Sequence, residues 1–170
     1  MNKKLNIVLI IFMVLCLKNT MFSQDQQCYE IDWQKMIAYC KNDTAKLYSG
    51  ECKSFYRNGK LKSKSLVKNG VILYSMLWKK NGTLLDSIIS LDSLGINMEH
   101  YIFFRNGNLF LKQTMNRETT KALDIFYTKK GRKRVETNYS NWVRNGLQIF
   151  YNKKGEKISE ETYIDNKFVN

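Results

Sequence analysis

The sequence predicts an all-β chain: antiparallel β-hairpins repeated end to end, forming one elongated twisted sheet. Three observations predict it. One short phrase recurs five times, as FYRNGKL at 55–61, LWKKNGTL at 77–84, FFRNGNL at 103–109, FYTKKGRK at 126–133 and FYNKKGEK at 150–157. The glycines of these phrases, Gly59, Gly82, Gly107, Gly131 and Gly155, step by 23, 25, 24 and 24 residues, and a fixed period in the twenties marks a repeat architecture. No proline occurs, so every strand residue keeps its N–H for a ladder.

Residues 1–23 read as a secretory signal peptide. Lys3 and Lys4 make a charged start, Ile7 to Leu17 is an uncharged apolar run of 11 residues, and a polar stretch ends at Ser23. That order is the n-, h- and cleavage-region order of an export signal, and the run is well short of the roughly 20 residues a membrane span needs. Cys16 sits inside the apolar run behind Leu15, a poor context for lipidation. Cleavage after Ser23 leaves 25 cations against 15 acids, a net charge of +10. It also leaves Cys28, Cys40 and Cys52. Export permits a disulfide, but three cysteines allow three pairings and leave one over.

Residues 24–47 are expected to form a cap. Glu30 to Tyr39 suits a short helix or a first strand, with strand preferred near Ala38 to Cys40 and a turn at Asn42-Asp43-Thr44. A cap covering the sheet edge would protect an end strand from aggregation.

Residues 48–170 carry the hairpins. The dipeptides at Asn58-Gly59, Asn69-Gly70, Asn81-Gly82, Asn106-Gly107 and Asn145-Gly146 suit type I′ turns, where both central residues take positive φ. The Lys-Lys-Gly sites ending at Gly131 and Gly155 suit a slightly longer loop with a left-handed glycine. Secondary turns are expected at Gly70, at Gly95, near Asn116-Arg117 and near Asn138 to Asn141. Alternation places Ile72, Tyr74, Met76 and Trp78 on one strand face; Leu123, Ile125 and Tyr127 form a second set, and Leu147, Ile149 and Tyr151 a third. Two strands per repeat give roughly ten strands. The aromatics at Phe55, Tyr56, Trp78, Phe103, Phe104, Phe126, Tyr127, Phe150 and Tyr151 are expected to stack as a ladder and supply the core.

The phrase G-x-x-x-x-F/Y-Y-x-N-G-x-L, fullest from Gly50 to Leu61 and repeated with a period near 24 over Tyr48 to Asn170, resembles the MORN-repeat variant of the bacterial YwqK-type antitoxin family. Residues 84–101 and 110–124 depart from it, having one glycine and none. The resemblance implies a hairpin meander and a protein that neutralises a toxin by binding it.

Catalytic groups are sparse. His100 is the one histidine, and a triad would need a nucleophile and a carboxylate beside it; the expectation is a surface residue. Glu160 and Glu161 are adjacent, so on a strand they face opposite sides. No metal-binding or phosphate-cradle motif occurs. The chain is therefore expected to be non-enzymatic, with no catalytic residues, cofactor or metal. Asp43-Thr44-Ala45, Asp86-Ser87-Ile88 and Asp92-Ser93-Leu94 resemble sites of periplasmic O-glycosylation.

The expected role is that of an exported protein-binding scaffold in the periplasm, on the surface or in the medium, with an unidentified protein partner. The alternative is an envelope-surface binder of anionic glycans or lipid headgroups, since lysines and arginines cluster with aromatics at the turns. Export argues against nucleic acid.

Overall fold

The computed structural model describes residues 28–32 and 37–169; the expected signal segment 1–23 lies outside them. Fourteen strands form one open antiparallel sheet: β1 (Tyr29–Asp32), β2 (Ile37–Cys40), β3 (Asp43–Leu47), β4 (Gly50–Phe55), β5 (Leu61–Lys68), β6 (Val71–Trp78), β7 (Leu84–Ser90), β8 (Asn97–Phe103), β9 (Leu109–Asn116), β10 (Lys121–Tyr127), β11 (Lys133–Ser140), β12 (Val143–Tyr151), β13 (Lys157–Ile164) and β14 (Lys167–Phe168). From β4 to β14 each strand pairs with its neighbours in sequence. The all-β meander expected from the repeats is what forms, and no helix occurs among the described residues.

Five hairpins are built alike. The loops 56–60, 79–83, 104–108, 128–132 and 152–156 each have five residues. In each, the glycine at the fourth position donates its N–H to the carbonyl of the first, and the first donates to the carbonyl of the fifth. The glycines have φ of 76°, 89°, 88°, 77° and 90°, a left-handed conformation only glycine adopts without steric cost. Asn58, Asn81 and Asn106 are not in it, so these loops are not the expected type I′ turns. Each is a type I turn closed by a left-handed glycine. Each is followed by a one-residue bulge, at Lys62, Leu85, Phe110, Arg134 and Ile158.

The asparagines have another role. Asn58 Oδ1 accepts from Lys60 N–H at 3.2 Å, Asn81 Oδ1 from Thr83 N–H at 3.1 Å and Asn106 Oδ1 from Asn108 N–H at 3.2 Å. Where lysine replaces asparagine, the first loop residue takes over. Thr128 Oγ1 accepts from Arg132 N–H at 3.2 Å, and Asn152 Oδ1 from Glu156 N–H at 3.1 Å. The two spellings of the repeat are thus two ways of satisfying one backbone donor, which would otherwise have to find water.

The opposite ends of the strands are less regular. Asn69 and Gly70 have positive φ, as do Asn141 and Trp142, and Asp165 and Asn166, and these three pairs are the two-residue turns. Asn145 and Gly146 were expected to be a turn but lie inside β12. Gly146 has φ 103°, where an L side chain is strained, and a Cβ there would press on Asn138 Cβ at 3.3 Å, beside the bulge between β11 and β12. The glycine-poor stretches hold the longer loops, 91–96 and 117–120.

The N-terminal strands form the cap, as strands rather than a helix. The turn falls at Lys41-Asn42, so Asp43 and Thr44, expected in it, begin β3. The cap does not pair along β4, whose partner is β5 alone. It docks at the β5–β6 turn. Ala38 N–H donates to the Gly70 carbonyl, and Gly70 N–H to the Tyr48 carbonyl, both at 2.8 Å. A Cβ on Gly70 would lie 2.9 Å from Ile37 Cγ2 and Leu47 Cδ2, so glycine is what lets the cap approach. Ala38, Val67 and Ile72 are buried there, with Tyr29, Ile31 and Tyr48 packed around them. A disulfide joins Cys28 to Cys52 on β4, Cα atoms 5.9 Å apart, leaving Cys40 as a thiol.

Ile72 reaches that core because a bulge shifts the β5–β6 register, pairing Val67 with Ile72 and Leu66 with Tyr74. Ile72 therefore does not share a face with Tyr74 and Met76, as strict alternation implied. The aromatic ladder is also shorter than expected. Phe104, Phe110 and Phe126 make edge contacts at 5.0 and 5.8 Å, but Phe55 is 50% exposed. Val135 stands between Phe126 and Phe150 in the cross-strand row and interrupts the stack.

Candidate functional site

The five equivalent loops bring the predicted turn residues to one edge of the sheet. The second loop position is basic in every copy: Arg57, Lys80, Arg105, Lys129 and Lys153, all exposed. Lys60, Lys79, Lys130, Arg132 and Lys154 add to them, and Glu156 is the one acid in these loops. At the other edge the loops 69–70, 91–96, 117–120, 141–142 and 165–166 hold Arg117 against Asp92, Glu118 and Asp165. Charge is therefore polarised along the strand direction.

Glu156 accepts from the Asn152 side chain at 2.8 Å. Strand carboxylates pair with strand lysines: Glu51 with Lys53 and Lys64, Glu99 with Lys112, Glu136 with Lys133 and Glu160 with Lys157. The paired lysines hold Glu51 down at about 2. None of these pairs includes a loop cation. Asp92 is occupied in its own loop, where the backbone N–H groups of Ile96 and Asn97 keep its carboxyl below the usual range.

Neighbouring loops are also tied together. Tyr56 Oη donates to the Trp78 carbonyl at 2.6 Å, and Lys80 lies over the Tyr56 ring. Asn106 and Asn108 side chains both donate to the Lys129 carbonyl, at 3.2 and 2.7 Å. Arg132 donates to the Lys153 carbonyl. The edge is thus a cross-linked ridge. A shallow depression on it is lined by Arg57, Asn58 and Lys80.

His100 is not the surface residue expected. It is 8% exposed in β8, with Nε2 2.9 Å from Asp86 Oδ2. It belongs to a row of cross-strand partners running Ser75, Ile88, His100, Gln113, Asp124, Thr137, Gln148 and Glu161. Gln113 Nε2 donates to Asp124 Oδ1 at 2.7 Å, and Gln148 Nε2 to Thr137 Oγ1 at 3.1 Å. Burial pushes the Asp124 carboxyl up to about 6, against the Gln113 bond and the charge of His100, which lower it. Burial, with the Asp124 charge, pushes Tyr139 up to about 12. The row thus holds two separate side-chain hydrogen bonds, and Asp86, outside it, supplies His100 with a carboxylate. Among the described residues no three His, Cys, Asp or Glu side chains gather into a metal-binding group.

The last hairpins carry a third feature. Of the eleven large apolar side chains exposed among the described residues, six fall from Trp142 onward: Trp142, Leu147, Ile158, Ile164, Phe168 and Val169. Of the sites resembling O-glycosylation motifs, Thr44 and Ser93 are exposed but Ser87 is 4% exposed and closed to a transferase.

Sequence reasoning found the turn glycines and their basic neighbours. It missed the Asp86–His100 pair, because residues fourteen apart meet only through the β7–β8 register. The fivefold basic second position was in the phrases, but it becomes one structural position only once the loops prove equal in length. Compared with known proteins, the chain matches no family model and no curated protein.

Proposed function

We propose that this chain is an exported, non-catalytic scaffold that binds another envelope or secreted protein, in the manner the MORN-variant resemblance implies for toxin-neutralising proteins. The observation that carries the reading is the gathering of exposed apolar side chains on the last hairpins. Exposed apolar side chains in such numbers suit protein association, and Ile164 and Phe168 stand together at the β13–β14 end, one on each face. The edge of β13 adds unpaired backbone groups, since β14 covers only Tyr163 and Ile164; such an edge can receive a partner strand. The signal-like segment 1–23 and the Cys28–Cys52 disulfide support export. The Asp86–His100 pair is assigned a structural role within the buried row.

The test immobilises the full chain, exposes it to the envelope fraction and washes with rising salt. One protein is expected to stay bound in stoichiometric amount, to be lost with I164E/F168E, and, if toxic, to be neutralised by the free chain. Capture that survives I164E/F168E, or that vanishes with salt alone, overturns the reading.

A further inference from the structure

The fivefold basic second loop position needs an explanation that the fold does not supply. It is the first central position of a type I turn, which accepts most residue types. Its side chain is exposed in all five copies, so packing does not select it. Side-chain donors of the cross-loop bonds come from the first, third and fifth positions, and the second position lends only its backbone carbonyl, at Lys129 and Lys153. Lys80 lies over the Tyr56 ring; the side chains of Arg57, Arg105, Lys129 and Lys153 have no part in the cross-loop bonds, yet each copy is a cation.

Their arrangement is one-dimensional. The loops alternate with the opposite turns, so successive cations stand two strand spacings apart, about 9.6 Å. Five of them span about 40 Å along the edge. No carboxylate pairs with them among the described residues, and the chain's remaining acid outside those residues is Asp25 alone. The ridge is held in shape before any ligand arrives, which lowers the ordering cost of binding.

We infer that this edge binds a linear anionic polysaccharide lying along the loop tips, its sulfate or carboxylate groups meeting the second-position cations in file. A single file of charge suits a chain better than a plane of lipid headgroups, and the tips carry no apolar wedge to enter a bilayer. Single-stranded nucleic acid needs stacking platforms. Here the first-position aromatics are engaged, Tyr56 under Lys80 and Phe104 against Phe110. Lys153 shares the β12–β13 hairpin with Ile158, but Ile164 and Phe168, which test the protein-binding reading, lie at the opposite end of β13.

The experiment measures binding of the full chain to heparin oligosaccharides of graded length at about 0.15 M salt. Two variants of equal charge are compared: R57Q/K80Q/R105Q/K129Q/K153Q on the edge, and K41Q/K46Q/K68Q/K121Q/K167Q at exposed positions off it. Affinity is expected to rise with oligosaccharide length until the ligand reaches about 40 Å. The edge variant should lose at least about tenfold and the control less than about threefold. The milder R105Q/K129Q variant should fall between, which guards against misfolding as the cause. Equal losses in the two fivefold variants, no dependence on length, or tighter binding to anionic vesicles or an oligonucleotide than to heparin would overturn the inference. Protein capture by the last hairpins is unaffected by the edge variant, so the two readings fail separately.

Discussion

Asp124 offers a sharp test of the buried polar row. Its carboxyl is 8% exposed, and burial raises it from 3.8 to about 6. In the unfolded chain it titrates near its ordinary value, so between about pH 4 and 6 the folded chain holds a proton that the unfolded chain has released. Stability from this group is therefore greatest below pH 4 and falls as pH rises to 6, then stays level. Two units at about 1.4 kcal/mol each make the cost about 3 kcal/mol above pH 6. Asp124→Asn removes the charge and keeps an oxygen for the Gln113 amide, which now bonds Oδ1 at 2.7 Å. The substitution should be close to neutral at pH 4 and stabilising by about 1–3 kcal/mol at pH 8. Urea unfolding followed by tryptophan fluorescence at the two pH values gives the difference. His100 is itself ionisable and its charge lowers the Asp124 carboxyl, so the pair is repeated in a His100→Asn background to separate the two. The same effect of Asp124→Asn at both pH values, or destabilisation that grows with pH, would refute the buried-charge argument.

Three further predictions come from the turns and the cap. Removing the Cys28–Cys52 bridge with C28S/C52S should cost about 3 kcal/mol, judged by loop-closure entropy over a separation of 24 residues and read in denaturant midpoints under oxidising conditions. Thr128→Val removes the acceptor for Arg132 N–H and should cost about 1 kcal/mol; adding Lys130→Asn should restore most of it, because asparagine at that position accepts the same donor in three other loops. Trp142 holds φ 64° while 52% exposed, so Trp142→Gly should raise the melting temperature, with a gain of about 1 kcal/mol from relieved backbone strain.

The sequence made the repeated hairpins legible because left-handed glycines are local: Gly59, Gly82, Gly107, Gly131 and Gly155 announce their turns without knowledge of the rest. What stayed hidden depends on partners distant in sequence. Asn145-Gly146 reads like Asn69-Gly70, yet only the latter is a turn. The β11–β12 reversal falls on Asn141-Trp142, at the end of the stretch Asn138 to Asn141 where a secondary turn was expected, and only its tryptophan gives no turn signal. Bulges hid the sides of β6, since one extra residue moves Ile72 to the opposite face. The cysteine pairing could not be chosen among three until the cap was seen to dock at the β5–β6 turn, which brings Cys28 beside Cys52 of β4. The basic loops were visible as a cluster; that they form a single file required equal loop lengths and a common bulge.

A sheet in which strands from β7 onward touch only their sequence neighbours has a direction built into its failure. Drawn on from its last strand, it would come apart like a zip, one hairpin per step of about 24 residues. The steps would be of similar height, because the hairpins share one design. The front of that unzipping would stop at β6, where the cap grips Gly70 and the disulfide holds β4. A sheet built this way yields gradually, and it keeps its capped end folded while the other end is being pulled.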